Sequence, residues 1–170
     1  MTYGITLTEY FGVNDDDIGI FIFFFAAGNF FGCIVLGRCF DIIGRRKMIF
    51  FTYFLSSVLL FIQSMLFIFK IINGPYFMCI FFSVVFFFAS AGASAAYLTI
   101  SEIFPLEVRT LAIAFFYCIG TAVGGISGPF LYGYLIELKE RIYIFIGYLI
   151  AVILMSCGSF VALYIRDPIL

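Results

Sequence analysis

Histidine and tryptophan are absent from this chain, and charge is scarce: nine Lys or Arg and ten Asp or Glu make up 11% of 170 residues. Without imidazole there is no Ser-His-Asp or Cys-His arrangement and no His-based metal site. Five cysteines are present (Cys33, Cys39, Cys79, Cys118, Cys157), yet no two sit at CxxC spacing. They read as small buried hydrophobes, with no zinc site, disulfide framework or redox motif. There is no GxSxG and no P-loop, and Gly124-Gly125 lies inside an apolar run where no nucleotide reaches. An enzyme is therefore not expected, nor a cofactor or bound metal. The net charge of −1 leaves no electrostatic footprint for nucleic acid. The N-terminus lacks the basic region of a signal peptide and instead carries Glu9, Asp15, Asp16 and Asp17.

What is present is hydrocarbon. Apolar residues make up 65% of the chain, and the mean hydropathy is +1.20. A soluble domain is nearer half apolar and about a quarter charged. A helix that crosses a bilayer needs about 20 apolar residues, and five runs qualify: 18–36, 48–69, 76–99, 110–136 and 142–165. The second, at about 1.5 Å per residue, reaches about 33 Å. The runs are continuously apolar, unlike the alternating strands of a membrane barrel, and a helix satisfies its own backbone in lipid. The fold class expected is all-α, a polytopic membrane bundle of five transmembrane helices, with residues 1–17 as an extracytoplasmic lead-in. Pro129, inside the fourth run, predicts a kink.

Orientation follows from Lys and Arg. One side collects Arg38, Arg45, Arg46, Lys47, Arg109 and Arg166; the other has only Lys70, Lys139 and Arg141. Six against three puts the first side, with the C-terminus, in the cytoplasm and the N-terminus outside. The expected location is a bacterial inner membrane. An odd span count with an exported N-terminus, and no signal to export it, suggests that an N-terminal portion is missing.

Two polar segments interrupt the hydrocarbon on the cytoplasmic side. The first, GRCFDIIGRRK at 37–47, holds five charges in eleven residues. Gly44 supplies the freedom for a sharp turn, and Asp41 precedes Arg45 by four, the spacing of a helical ion pair. The segment reads as a topology-setting loop whose cations meet anionic lipid. The second, SEIFPLEVR at 101–109, contains Pro105, which redirects the chain, flanked by Glu102 and Arg109. These charges are either solvated or form a salt-bridge latch with the first segment.

Small residues gather at Gly28 and Gly32, across 89–96, and at Gly120, Gly124 and Gly128, which repeat every four residues. In lipid such faces let helices approach closely, either as static packing or as a surface that slides. No charge sits at mid-span, so no proton relay is displayed. Asn29 and Gln63 are polar within spans and read as helix–helix hydrogen bonds or, with Tyr97, as candidate solute contacts.

Together the two segments resemble signatures of the major facilitator superfamily. GRCFDIIGRRK is similar to G-[RK]-x-x-D-x-x-G-R-[RK] at Gly37, Arg38, Asp41, Gly44, Arg45 and Arg46. SEIFPLEVR looks like the E-x-x-P-x-x-x-R pattern of sugar-porter-type and general substrate transporters at Glu102, Pro105 and Arg109. The glycine-rich run after it is similar to that family's eleventh helix. Two spans separate the motifs, so the chain resembles helices eight to twelve, a partial major-facilitator fold. The resemblance implies the C-terminal part of a transporter that moves a small organic solute, such as a sugar or metabolite, by symport or facilitated diffusion. It also implies a cytoplasmic gate formed by Asp41, Arg45 and Arg46 with Glu102 and Arg109. The partners implied are the lipid bilayer, a small-molecule solute and the missing N-terminal half. The alternative is a non-transporting membrane module, either a degenerate remnant or a subunit that needs a separately encoded half.

Overall fold

The computed structural model describes residues 2–71, 74–138 and 140–164. Those residues form helices and short connections with no strand: α1 (Thr2–Phe11), α2 (Asp15–Ile43), α3 (Arg45–Ile68), α4 (Pro75–Ile103), α5 (Leu106–Glu137) and α6 (Arg141–Ala162). Five of them, α2 to α6, are long and apolar enough to cross a membrane. The expected all-α bundle of five spanning helices is what the chain builds.

The spans outlast the apolar runs. α2 continues through Arg38 and Asp41 to Ile43, and α3 begins at Arg45. The charged segment expected to be a loop is thus two helix ends joined at one residue. Gly44 makes the junction at φ 100° and ψ 137°, a positive φ that disfavours any residue with a Cβ. The second segment behaves alike: α4 runs to Ile103, Pro105 precedes α5 with φ −61°, and only Phe104 and Pro105 lie outside helices. Hydropathy marks where a helix leaves hydrocarbon, not where its hydrogen bonds stop. α5 also continues through Pro129. The end of the fifth expected span, Ile165, and the cation Arg166 lie outside the described residues, as does Lys139.

Residues 2–11 are more than a lead-in. They form α1, which packs on α2 and α5 and buries Leu7 completely. Gly12, at φ 63°, turns the chain from α1 into α2. Ten residues are too few for a hydropathy window to register as a span.

The core falls into two main clusters. Leu60, Phe67, Met78, Val85, Ile144 and Tyr148 pack at the end where α3 finishes. Phe40, Met48, Ile49, Ala91, Ala95 and Ala162 pack at the end where α3 begins. Buried hydroxyls within α3 bond to their own helix: Thr52 Oγ1 donates to the Met48 carbonyl at 2.8 Å and Ser56 Oγ to that of Thr52 at 2.7 Å. A polar side chain can sit in a span when the preceding turn satisfies it.

The glycines divide. Gly28 and Gly32 seat α2 directly on α4: a Cβ at Gly28 would lie 2.8 Å from the Ser83 carbonyl oxygen, and one at Gly32 would overlap the Phe87 carbonyl. The packing expected of Gly120, Gly124 and Gly128 is not found among the described residues. A Cβ at Gly124 or Gly128 would meet nothing within 4 Å, and one at Gly120 only the Tyr97 hydroxyl at 3.6 Å. α5 sits at the margin of the bundle with Val123, Ile126 and Phe130 exposed. The cysteines also depart from expectation: Cys79 is buried, but Cys118 and Cys157 are exposed. A thiol is apolar enough to sit on a lipid-facing surface.

Candidate functional site

The site grows from the two charged helix junctions. Arg45 is the first residue of α3, and Glu102 lies in the last turn of α4. The α3 N-terminus carries the positive end of the helix dipole, so a cation there gains nothing from its own helix. The guanidinium is instead handed outward. Its Nη2 lies 2.7 Å from Glu102 Oε1 and 3.7 Å from Asp41 Oδ1. One side chain thereby joins the ends of α2, α3 and α4.

Burial grades this cluster. The Arg45 side chain is 19% exposed, Glu102 36% and Asp41 72%. The Glu102 contact, short and partly sheltered, is a close ion pair. The Asp41 contact is longer and solvated, the kind worth little alone. Arg45 Nη1 is buried with no hydrogen-bond partner among the described residues, so the guanidinium is only partly satisfied. Beside it lies a cavity of about 210 Å³ lined by Cys33, Gly37, Asp41, Arg45 and Ser94. On its wall Cys33 Sγ lies 3.3 Å from Ser94 Oγ.

The remaining motif residues take other positions. Gly37 and Arg38 are exposed on α2, and Arg46 is exposed beside Arg45. Pro105 stands just before α5. Arg109 does not join the cluster. Among the described residues it makes no ion pair, and its Nε is buried without a hydrogen-bond partner. It lies one turn into α5, beyond the break at Pro105, and that redirection carries it off the α4 terminus.

The three candidate solute contacts do not converge. Asn29 is exposed on α2, and its carbonyl accepts a hydrogen bond from Ser90 Oγ at 3.0 Å. Gln63 is fully buried in α3, where its Nε2 donates to Met78 Sδ of α4 at 3.3 Å. That is the helix–helix role. The Tyr97 ring lies 5.7 Å from that of Tyr117. A separate cavity of about 300 Å³ draws on all six helices, with Thr6, Phe25, Phe86, Tyr132 and Tyr148 among its walls. The sequence singled out none of these as solute contacts, since single aromatics carry no spacing signal in a chain that is 22% aromatic and a lone Thr carries none either.

At the opposite end of α3, Arg141 forms a second cluster that sequence reasoning missed. It opens α6 as Arg45 opens α3. Its Nη1 donates to the Phe67 carbonyl at 3.4 Å. Among the described residues no group of three or more His, Cys, Asp or Glu side chains is placed to hold a metal.

No curated protein and no solved structure matches the chain. A family model does: that of the Major Facilitator Superfamily, over residues 1–169.

Proposed function

The chain belongs to the Major Facilitator Superfamily, a family of transporters, and from that we propose that it is the C-terminal part of a carrier for a small organic solute, a sugar or metabolite, driven by symport or moving by facilitated diffusion. In this reading α2 to α6 correspond to helices eight to twelve, and the charged junctions face the cytoplasm. The Arg45–Glu102 pair is the observation that carries the proposal. It closes one end of the bundle between α3 and α4 with a contact strong enough to favour one state and exposed enough to break. Asp41 offers Arg45 a second carboxylate once Glu102 withdraws. The gate is thus Asp41, Arg45 and Glu102, with Arg46 at its edge.

The exposed glycine face of α5 supports the further part of the proposal, that additional helices complete the translocation path. Alternating access in such folds needs two repeats around a site near mid-membrane. The test is uptake of radiolabelled glucose and of a panel of organic acids into proteoliposomes containing the complete carrier. Asp41→Lys and Glu102→Lys should each slow uptake at least tenfold and shift the balance of inward- and outward-open states. Native kinetics and unchanged state populations in both variants would sink the gating role.

A further inference from the structure

We propose that Arg141 is a positioning residue: it clamps α1 onto the far end of α3 and so fixes one wall of the aromatic cavity. Arg141 is the first residue of α6, where the helix dipole opposes a cation. Its charge turns to the terminus of α3 instead, where the dipole favours it. The guanidinium carbon lies 5.2 Å from the centroid of the Phe67 ring and 6.0 Å from that of Tyr10, within cation–π range. Phe67 belongs to α3 and Tyr10 to α1, and their rings meet edge to face at 5.7 Å. Phe11 adds a third ring, 6.4 Å from Phe67. One side chain therefore gathers α1, α3 and α6.

The carbonyl it grips is already part of a helix stop. Ile71 N–H donates to Leu66 O at 3.1 Å and Lys70 N–H to Phe67 O at 3.2 Å, the paired bonds of a Schellman motif. Arg141 Nη1 adds a longer contact to the same Phe67 carbonyl, at 3.4 Å. The Phe67 side chain is fully buried.

α1 depends on such an anchor. A ten-residue helix is marginal by itself, and Gly12 joins it to α2 through a positive-φ turn. Burial raises the Tyr10 phenol above its ordinary pKa, and the nearby Arg141 charge offsets only part of that rise. Four residues before Tyr10 on α1, Thr6 lines the cavity with Phe25, Phe86, Tyr132 and Tyr148. Holding Tyr10 therefore holds Thr6. α3 is thus pinned by an arginine at each end, through carboxylates at its start and through rings and a carbonyl at its finish.

Hydrogen–deuterium exchange on the full chain in nanodiscs tests this without any need for a transported solute. Arg141→Gln removes the charge and should speed exchange of the Leu7–Phe11 amides at least tenfold, leaving the middle of α4 within twofold of native. Arg141→Lys keeps a cation over the rings and should bring α1 back to within about threefold. Tyr10→Leu leaves Arg141 on Phe67 but removes its hold on α1, and should match Arg141→Gln in α1 alone. If Arg141→Gln does not fold, Tyr10→Leu decides the matter. Exchange in α1 within twofold of native in the variants that fold, or equal acceleration in every helix, would overturn the proposal.

Discussion

Arg45 and Glu102 meet at 2.7 Å although two membrane spans separate them in the chain. The contact exists because α3 and α4 run antiparallel, bringing the first residue of one beside the last turn of the other. A short pair at a partly sheltered site should show measurable coupling. In a double-mutant cycle of Arg45→Gln and Glu102→Gln, followed by thermal unfolding in detergent, we expect a coupling energy of about 1 kcal/mol. Asp41→Asn should change stability by less than about 0.5 kcal/mol, because its contact is longer and its side chain 72% exposed. A cycle with no coupling would mean that the pair is formed too briefly to bias any state.

The two glycines of the first motif should respond in opposite directions. Gly44 holds φ at 100° and ψ at 137°, so Gly44→Ala forces a strained backbone at the break between α2 and α3 and should cost about 1–3 kcal/mol. Gly37 sits within α2, where a Cβ would meet open space. Gly37→Ala should gain up to about 1 kcal/mol from helix propensity. Unfolding midpoints of the two variants, measured side by side in one detergent, check the contrast. Equal effects would mean that the junction adopts another geometry in the membrane.

Much of this arrangement is legible in the sequence, for a physical reason. Five apolar runs give five spans because lipid leaves the backbone no alternative. The ion pair between the two charged segments could be anticipated because both lie at one end of the bundle. Its membership could not be read so finely: Arg109 belongs to the motif, yet Pro105 turns it away from the Arg45 cluster. Helix ends were misplaced for a related reason, since Arg38 and Asp41 leave hydrocarbon but keep their hydrogen bonds. Arg141 was invisible as anything but a topology charge. Its partners are two rings and a carbonyl, and a sequence rich in Phe gives no sign of which rings a cation will meet. α1 hid behind its length, and the Gly120–Gly128 repeat advertised a packing face that this chain does not itself fill.

That glycine repeat yields a third prediction. At Gly32 a new Cβ would drive into the Phe87 backbone of α4, which cannot swing aside as a side chain would. Gly32→Ala should destabilise the chain by about 2–3 kcal/mol. Gly124→Ala meets nothing and should be neutral or slightly stabilising in this chain alone. If further helices pack on α5, the same Gly124 change should weaken their association without lowering the thermal midpoint of the isolated chain. Gel filtration of the assembled carrier, beside unfolding of the chain, separates the two effects.

Lys70 carries the only positive φ among the described non-glycine residues, at 56°. It occupies the left-handed position that follows α3, where glycine is usual. The strain of a Cβ there costs about 1–2 kcal/mol, offset in part by a cation near a helix C-terminus, about 0.3–1 kcal/mol. Lys70→Gly should therefore be close to neutral, or stabilising by about 1 kcal/mol. Lys70→Val, with its branched Cβ, should be clearly worse. Because Lys70 N–H shares the Phe67 carbonyl with Arg141, loss of this turn should also loosen the Arg141 contact, read as faster exchange in α1.

Gln63 separates a packing role from a solute role. It is wholly buried, and its Oε1 has no hydrogen-bond partner among the described residues. Its one hydrogen bond is from Nε2 to the thioether of Met78, a weak acceptor. A buried amide oxygen left unpaired costs about 1–3 kcal/mol. Gln63→Met removes that cost at nearly constant volume, so the variant should unfold at least as late as the native chain, by up to about 1 kcal/mol. Uptake by the carrier proposed above should be unchanged, because Gln63 lies between α3 and α4 and lines neither the 210 Å³ nor the 300 Å³ cavity. Later unfolding together with lost uptake would reassign Gln63 to the solute path, since a residue that only joins helices cannot produce that combination.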